Sequence, residues 1–328
     1  MDLGFTKYTY REVGRDEWDL YWSRVIHANL MQSWEYGEAK KEAEGWEPIR
    51  LLFEDDANEP LALVQILTKT WPIIGGIARL NRGPLFFNLR ALNDGSKNKL
   101  ELLRYLKKIA KDKRWWLFYL APEIEVSENV QELLGKAGLK VRRDNIASWG
   151  SARLSLEPDE GSLMTGLKGK WRNLLRKSHK NDLLINTTRS ELSDVDSLLK
   201  FYGEAQKEKG FSGISLNLLR SLSNQKGKNW QFCHYISKGK SSSDLAGMLV
   251  SIIHGDTATY LIGNTTTYGR KMNANYAMLW HAILDAKRNG CQWFDLGGIN
   301  KNTPSGIRHF KEGVKGDNYL LIGEYILR

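Results

Sequence analysis

The chain has 328 residues, 41% of them hydrophobic and 26% charged, a globular composition long enough for two cores. It holds no run of roughly 20 apolar residues, which excludes a membrane-spanning helix. A formal charge of +10, from 48 basic against 38 acidic residues, favours an anionic partner: RNA, a phosphorylated substrate or a membrane surface.

The opening residues, MDLGFTKYTYREVGRDEW, carry no apolar signal core, so a cytoplasmic location is expected. Cys233 and Cys291 lie in apolar surroundings and read as buried thiols rather than a disulfide. Helical material over Asp16–Arg24 and Trp34–Glu44 opens the first half. Strand-like LALVQILTK (61–69) and IARLNRGPLF (77–86) follow. A helix with Leu100, Leu103, Leu106, Ile109 and Ala110 on one face leads into the apolar strand WWLFYLAPE (115–123).

The second half repeats this order. Helical Gly161–Lys180 and Leu192–Lys209 precede strands at 246–255 and 257–264. A helix carrying Leu279, Ile283 and Ala286 then leads to the strand QWFDLGG (292–298). A helix between strands is a crossover, so each half predicts a mixed sheet with helices against it. The repeat, at a spacing of about 170 residues, predicts two duplicated α/β domains. The first is expected over 1–148 and the second over 149–316, with a boundary near Arg143–Gly150. A last strand over 317–328 is expected to return and complete the first domain.

Chemistry concentrates in two places. In Gly166–Lys180, read as one helix, Lys168, Arg172, Arg176 and Lys180 fall at successive i+4 positions, and Trp171, Leu174, Leu175 and Ser178 form the adjoining face. No acid stands between Gly161 and Asn181, so the stripe is either a solvated face or a contact for a phosphate backbone. The second place is the strand end at Asp295, where Gly297-Gly298 lets a ligand approach the backbone and Lys311 follows as a mobile cation. There is no HExxH, CxxC or Walker loop, and the six histidines lack ligand spacing, so no metal site is expected. His309 is either a base or a structural histidine. The turn Arg270–Tyr276 has Ala and Asn where a CoA-binding turn needs Gly, so a pyrophosphate cradle would be crowded there.

Five segments together resemble the FemABX family of aminoacyl-tRNA-dependent peptidoglycan bridge transferases: QSWEYGEAKK (32–41), RGP (82–84), KWRNLLRKSHKNDL (170–183), EKGF (208–211) and AMLWHAILDAKRNGCQWFDLGGINKNTPSGIRHFKEGV (277–314). They span nearly the whole chain in the family's order, and the last is the most specific. The resemblance implies two tandem acetyltransferase-like (GNAT) domains. No heptad-rich insertion follows Phe211, so the chain is similar to the shorter members that add the first bridge residue.

The resemblance also implies a reaction. An amine of a stem peptide, on a UDP-linked or lipid-linked muramyl precursor, attacks the ester of an aminoacyl-tRNA. The tRNA is a co-substrate and no cofactor is required; a lipid-linked precursor would bring the protein peripherally to the inner membrane face. Lys311 matches the family's catalytic-site lysine and Phe310 the neighbour that shapes the site. Lys40 matches a pyrophosphate-binding lysine. Lys207 and Lys209 stand where a second-domain arginine is expected, without its bidentate fork. Trp34, Arg82 and Tyr260 match positions around the substrate groove, and Lys168, Arg172, Arg176 and Lys180 would meet the tRNA. The family's carboxylate shortly after RGP is missing, because the chain there reads LFFNL. The alternatives are an acyl-CoA N-acyltransferase on the same fold, a tRNA-dependent enzyme with a small-molecule acceptor, and a non-catalytic RNA-binding or scaffold protein.

Overall fold

A computed structural model describes residues 8–87, 95–126, 134–135, 140–141, 149–181, 183–189, 192–239, 245–300 and 302–327. Most of the expected boundary segment Arg143–Gly150, Asn88 and Leu89 of LFFNL, and Asp182 and Lys301 of the family-like segments lie outside the described residues. The chain forms two compact units, Met1–Trp149 with Leu320–Arg328, and Gly150–Tyr319.

The first unit contains β1 (Thr9–Glu12), α1 (Arg15–Trp22), α2 (Trp34–Glu44), β2 (Glu47–Glu54), β3 (Pro60–Trp71), β4 (Gly75–Asn81), β5 (Leu85–Phe86), α3 (Gly95–Asp112), β6 (Trp115–Ala121) and β7 (Lys140–Val141). The expected strand at 77–86 is two, interrupted by Arg82 at φ +55° and a cis Gly83–Pro84 bond. Alternation sorts the side chains to two faces. Leu51, Phe53, Val64, Ile66, Leu80 and Phe118 join one core with Leu102, Leu106 and Ile109 of α3. Leu52 and Leu63 point into a second core with Trp18 and Trp22 of α1. The hairpin β3–β4 is antiparallel, and α3 carries the chain across to β6, parallel to β4.

The second unit contains β8 (Gly150–Ser155), α4 (Glu160–Gly166), α5 (Gly169–His179), β9 (Leu184–Arg189), α6 (Leu192–Lys209), α7 (Leu216–Asn224), β10 (Trp230–Lys238), β11 (Leu245–His254), β12 (Thr257–Thr265), α8 (Thr267–Lys271), α9 (Ala274–Arg288), β13 (Trp293–Asp295), α10 (Ser305–Glu312) and β14 (Asp317–Leu320). Its sheet order is β14-β8-β13-β12-β11-β10-β9. The antiparallel pair β11–β12, the crossover helix α9 and the parallel strand β13 repeat the strand, strand, helix, strand pattern of the first unit. Helix α9 is buried along most of its length, with Met278, Leu279 and Ile283 against Tyr235, Leu249 and Phe294.

Two expectations are corrected. The single helix read over Gly161–Lys180 is two, because Leu167 and Lys168 leave helical geometry and the Lys168 N–H bonds the Gly313 carbonyl at 2.9 Å. The strand expected over 317–328 is also two: β14 lies beside β8, while β15 (Tyr325–Leu327) pairs with β6 and β7 in the first unit's sheet.

Candidate active site

Strand β13 ends where its parallel ladder with β12 ends, at Thr259↔Asp295. The next residues diverge for two local reasons. Ser251 of β11 pairs with Tyr260 while Val250 pairs with Ile262, so Leu261 is an extra residue bulging β12 just past Tyr260. Opposite it, Gly297 takes φ +62°, and a Cβ there would lie 2.7 Å from the Tyr260 carbonyl. Only glycine satisfies both the backbone angle and the approach.

Asp295 holds this strand end. Its buried carboxylate accepts from the Ser151 hydroxyl, from the Tyr319 hydroxyl at 2.6 Å and from the Gly297 N–H at 2.8 Å. Arg153 lies over the Tyr319 ring at 4.1 Å. Sequence reading singled out Asp295, but nothing local to Ser151 in β8 or Tyr319 in β14 marks either as its partner.

Helix α10 brings Lys311 back to the same place. The side chain is not the mobile cation expected from sequence: it is 6% exposed, and Nζ donates to the carbonyls of Gly297 at 2.9 Å and Gly298 at 3.3 Å. It also stands 4.8 Å from the Tyr260 ring centroid, a cation–π distance. Burial pushes its pKa down to about 8, with Asp295 pulling the other way. Two of the three ammonium donors are thus engaged with carbonyls.

Phe310 packs between Trp171 and Tyr276, with ring centroids 6.2 Å and 5.2 Å away. Tyr276 is the bulky residue of the turn read as crowded, and its N–H is spent on the Asn273 carbonyl at 3.1 Å. His309 is exposed on α10.

The remaining cations of this unit behave differently. Lys207 and Lys209 are both exposed, and Lys209 donates to Asn264 near the end of β12. Along α5, Trp171, Leu175 and Ser178 face the core, as expected, with Leu174 half-buried. Arg176 and Lys180 are exposed, Arg172 is half-buried with one donor on the Thr165 carbonyl, and Lys168 is the N-cap. The stripe is not wholly without an acid, since Glu312 of α10 lies 4.0 Å from the Lys168 ammonium.

In the first unit Trp34, Lys40 and Arg82 engage separate partners. Arg50 stacks on the Trp34 ring at 3.4 Å, and Trp18 meets it edge-on. Lys40 is half-buried and pairs with Glu44 one turn on. Arg82 is buried and grips Glu123 bidentately at 2.6 and 2.9 Å, with Trp149 beneath it at 5.5 Å. The acid missing after RGP thus has a counterpart beside Arg82, brought from beyond β6. Sequence reading also missed a buried polar chain at the start of α2. Gln32 donates to the Gln65 and Asn81 carbonyls, and Arg50 joins Gln65 to Glu38.

Among the described residues no group of acids, histidines and cysteines could hold a metal, and no helix is long and apolar enough to cross a membrane. Residues 217–328 match the FemAB family. No curated protein matches the chain. Among solved structures it is similar to FemX, at 15% identity over 97% of this chain and 96% of that one, with a TM-score of 0.76. It is also similar to a tandem GNAT protein from the clavulanic acid biosynthesis pathway, at 9% identity over 98% of both chains and a TM-score of 0.57. The structure of L-PGS from Bacillus licheniformis is a further likeness, at 12% identity over 96% of this chain and 91% of that one, with a TM-score of 0.55. These likenesses show the fold: two tandem GNAT-like α/β halves.

Proposed function

We propose, for a chain whose residues 217–328 match the FemAB family, that it is an aminoacyltransferase. It moves an amino acid from aminoacyl-tRNA to the amine of a peptidoglycan precursor stem peptide. The observation that carries this reading is Lys311, a buried cation held on two glycine carbonyls at the splayed end of β12 and β13.

In this reading the neutral amine attacks the ester carbonyl carbon, and the carbonyl oxygen becomes an oxyanion. Collapse expels the tRNA 3′ oxygen, which takes up the proton lost by the amine. The ester is already activated, so no covalent enzyme intermediate is needed, and the protein contributes alignment and charge. The remaining donor of Lys311 faces the oxyanion or the tRNA 3′ end, where loss of one such donor typically costs about 3 kcal/mol of transition-state stabilisation. Phe310, fixed between Trp171 and Tyr276, shapes the wall beside it. Arg176, Lys180 and Arg172 meet the tRNA phosphates, and Lys207 and Lys209 share the precursor pyrophosphate. Lys40, Trp34 and Arg82 serve the muramyl precursor. The packing of Tyr276 against Phe310 at the start of α9 supports tRNA over CoA as donor.

The test is transfer of radiolabelled amino acid from charged total tRNA to UDP-linked muramyl pentapeptide, with Lys311→Ala alongside. RNase-sensitive labelling that the variant loses is the expected result. Labelling by the wild type that Lys311→Ala retains overturns the assigned site. Labelling from acyl-CoA but not from tRNA, on either a UDP-linked or a lipid-linked acceptor, overturns the donor.

A further inference from the structure

Outside the candidate site, the first unit displays an apolar group that its own fold does not use. The turn between β3 and β4 is Pro72-Ile73-Ile74. Ile73 is 97% exposed and Ile74 72% exposed, flanked by Trp71 and Trp116 at 44% and 53%. Scattered apolar side chains on a surface need no explanation, but two aliphatic and two indole side chains at one end of a sheet form a patch. The parts are adjacent: a Cβ on Gly75 would lie 3.4 Å from the Trp116 ring.

The turn is also held rigid. The Ile74 N–H bonds the Pro72 carbonyl at 2.8 Å, which closes a three-residue turn around Ile73. Ile73 takes φ +70°, a conformation that a β-branched residue rarely adopts. Gly76 N–H bonds the Arg114 carbonyl at 3.1 Å, fixing the hairpin base to the segment between α3 and β6. A strained turn that points its isoleucine into water gains nothing from folding; the gain must come from what the side chain meets.

Charge identifies what that is. A cavity of about 700 Å³ beside the tip is lined by Ile74, Trp116, Lys107, Lys108, Lys111 and Arg114. All four of these cations are exposed. Acids are sparse beside them: Asp112 is exposed on the same turn of α3, and Glu12 pairs with Lys113. Aliphatic tips, interfacial indoles and a ring of long cations are the composition of a surface that seats in a bilayer interface, with anionic headgroups held by the cations. A single-stranded nucleic acid would use the cations and stack on the indoles, but acyl chains match two protruding aliphatic tips better than charged phosphates and polar base edges do.

We infer that the β3–β4 turn and the basic face of α3 form a docking surface for an anionic lipid bilayer. Ile73 and Ile74 enter the acyl boundary, Trp71 and Trp116 sit at headgroup level, and Lys107, Lys108, Lys111 and Arg114 bind lipid phosphates. The inference is independent of the chemistry assigned to Lys311.

The experiment is co-sedimentation of the full chain with vesicles of phosphatidylcholine alone and with about one-third phosphatidylglycerol, at low and raised salt. Binding to the anionic vesicles is expected, falling at least tenfold in Ile73→Ser/Ile74→Ser and in Lys107→Glu/Lys111→Glu, with unchanged thermal unfolding. Acyl-brominated lipid should quench wild-type fluorescence more than that of Trp71→Phe/Trp116→Phe. Absence of binding to anionic vesicles, or binding that the serine variant retains, overturns the inference. Binding of total tRNA that the charge reversals abolish, with no vesicle binding, overturns it in favour of RNA at this face.

Discussion

The indole Nε1 of Trp171 donates to the carbonyl of Phe310 at 2.9 Å, one residue before Lys311. Carbonyls in the last turn of a helix have no partner within it, so the indole of α5 satisfies one that α10 cannot. The Lys168 N–H does the same for Gly313 at 2.9 Å, and a Cβ on Gly313 would collide with the Trp171 ring. Helix α5 therefore sets the position of the turn that carries Lys311. Trp171→Phe should cost about 1 kcal/mol for the lost hydrogen bond. Trp171→Ala should cost about 3–5 kcal/mol, and Gly313→Ala about 1–3 kcal/mol through crowding. Urea unfolding measures all three, and a Trp171→Ala protein as stable as wild type would remove α5 from this role.

Lys311 gives stability a definite pH dependence. Its pKa falls from 10.5 to about 8 on folding, chiefly because burial disfavours the charged form. Between those values the unfolded chain keeps a proton that the folded chain has released. Unfolding free energy therefore rises with pH in that window, by at most about 1.4 kcal/mol per pH unit from this group. Lys311→Met should remove that rise and be more stable than wild type below about pH 8, where the buried charge costs most. If the protonated amine stabilises the oxyanion, transfer by the wild type should decline above about pH 8. Unfolding curves at several pH values, set beside rates, separate the two effects.

Local signals made several elements legible. Helix α2 could be bounded at Trp34 and Glu44 because Ser33 caps it and Gly45, at φ +68°, ends it. Helix α6 stops before Gly210, at φ +62°. The strand expected over 292–298 shortens to Trp293–Asp295 because Gly297 leaves the extended region. What stayed hidden depends on distant partners. Gly166 and Gly169 weaken the helix on either side of Leu167, but the long-range contact there, the Lys168 N–H on the Gly313 carbonyl, has no local signal. No pattern pairs Arg82 with Glu123, 41 residues on. A lysine in a polar helix reads as exposed, and only the return of α10 onto Gly297 and Gly298 buries Lys311.

The Arg82–Glu123 pair is buried on the arginine side, with side-chain exposures of 6% and 15%. Removing one partner from such a pair leaves a poorly solvated charge, at a cost of about 3–5 kcal/mol. Arg82→Ala and Glu123→Gln should each destabilise the first unit on that scale. Arg82→Lys should recover only part of it, because an ammonium cannot reproduce the two parallel bonds. A double-mutant cycle with Arg82→Ala/Glu123→Ala isolates the coupling. A cycle showing none would make the pair incidental to folding.

The stripe on α5 divides by what each cation already touches. Lys168 lies 4.0 Å from Glu312 and Arg172 spends a donor on the Thr165 carbonyl, whereas Arg176 and Lys180 are exposed. If α5 meets tRNA, the exposed pair should do most of the phosphate binding. Each cation removed from a phosphate should lower the slope of log affinity against log salt by about 0.7–0.9. Arg176→Ala/Lys180→Ala should therefore flatten the slope by about 1.5, and Lys168→Ala should change it less, since Glu312 already offsets that charge. Filter binding of charged tRNA across a salt series reads these slopes directly. A wild-type affinity insensitive to salt would take α5 out of tRNA recognition, and equal effects of all four cations would mean that Glu312 does not screen Lys168.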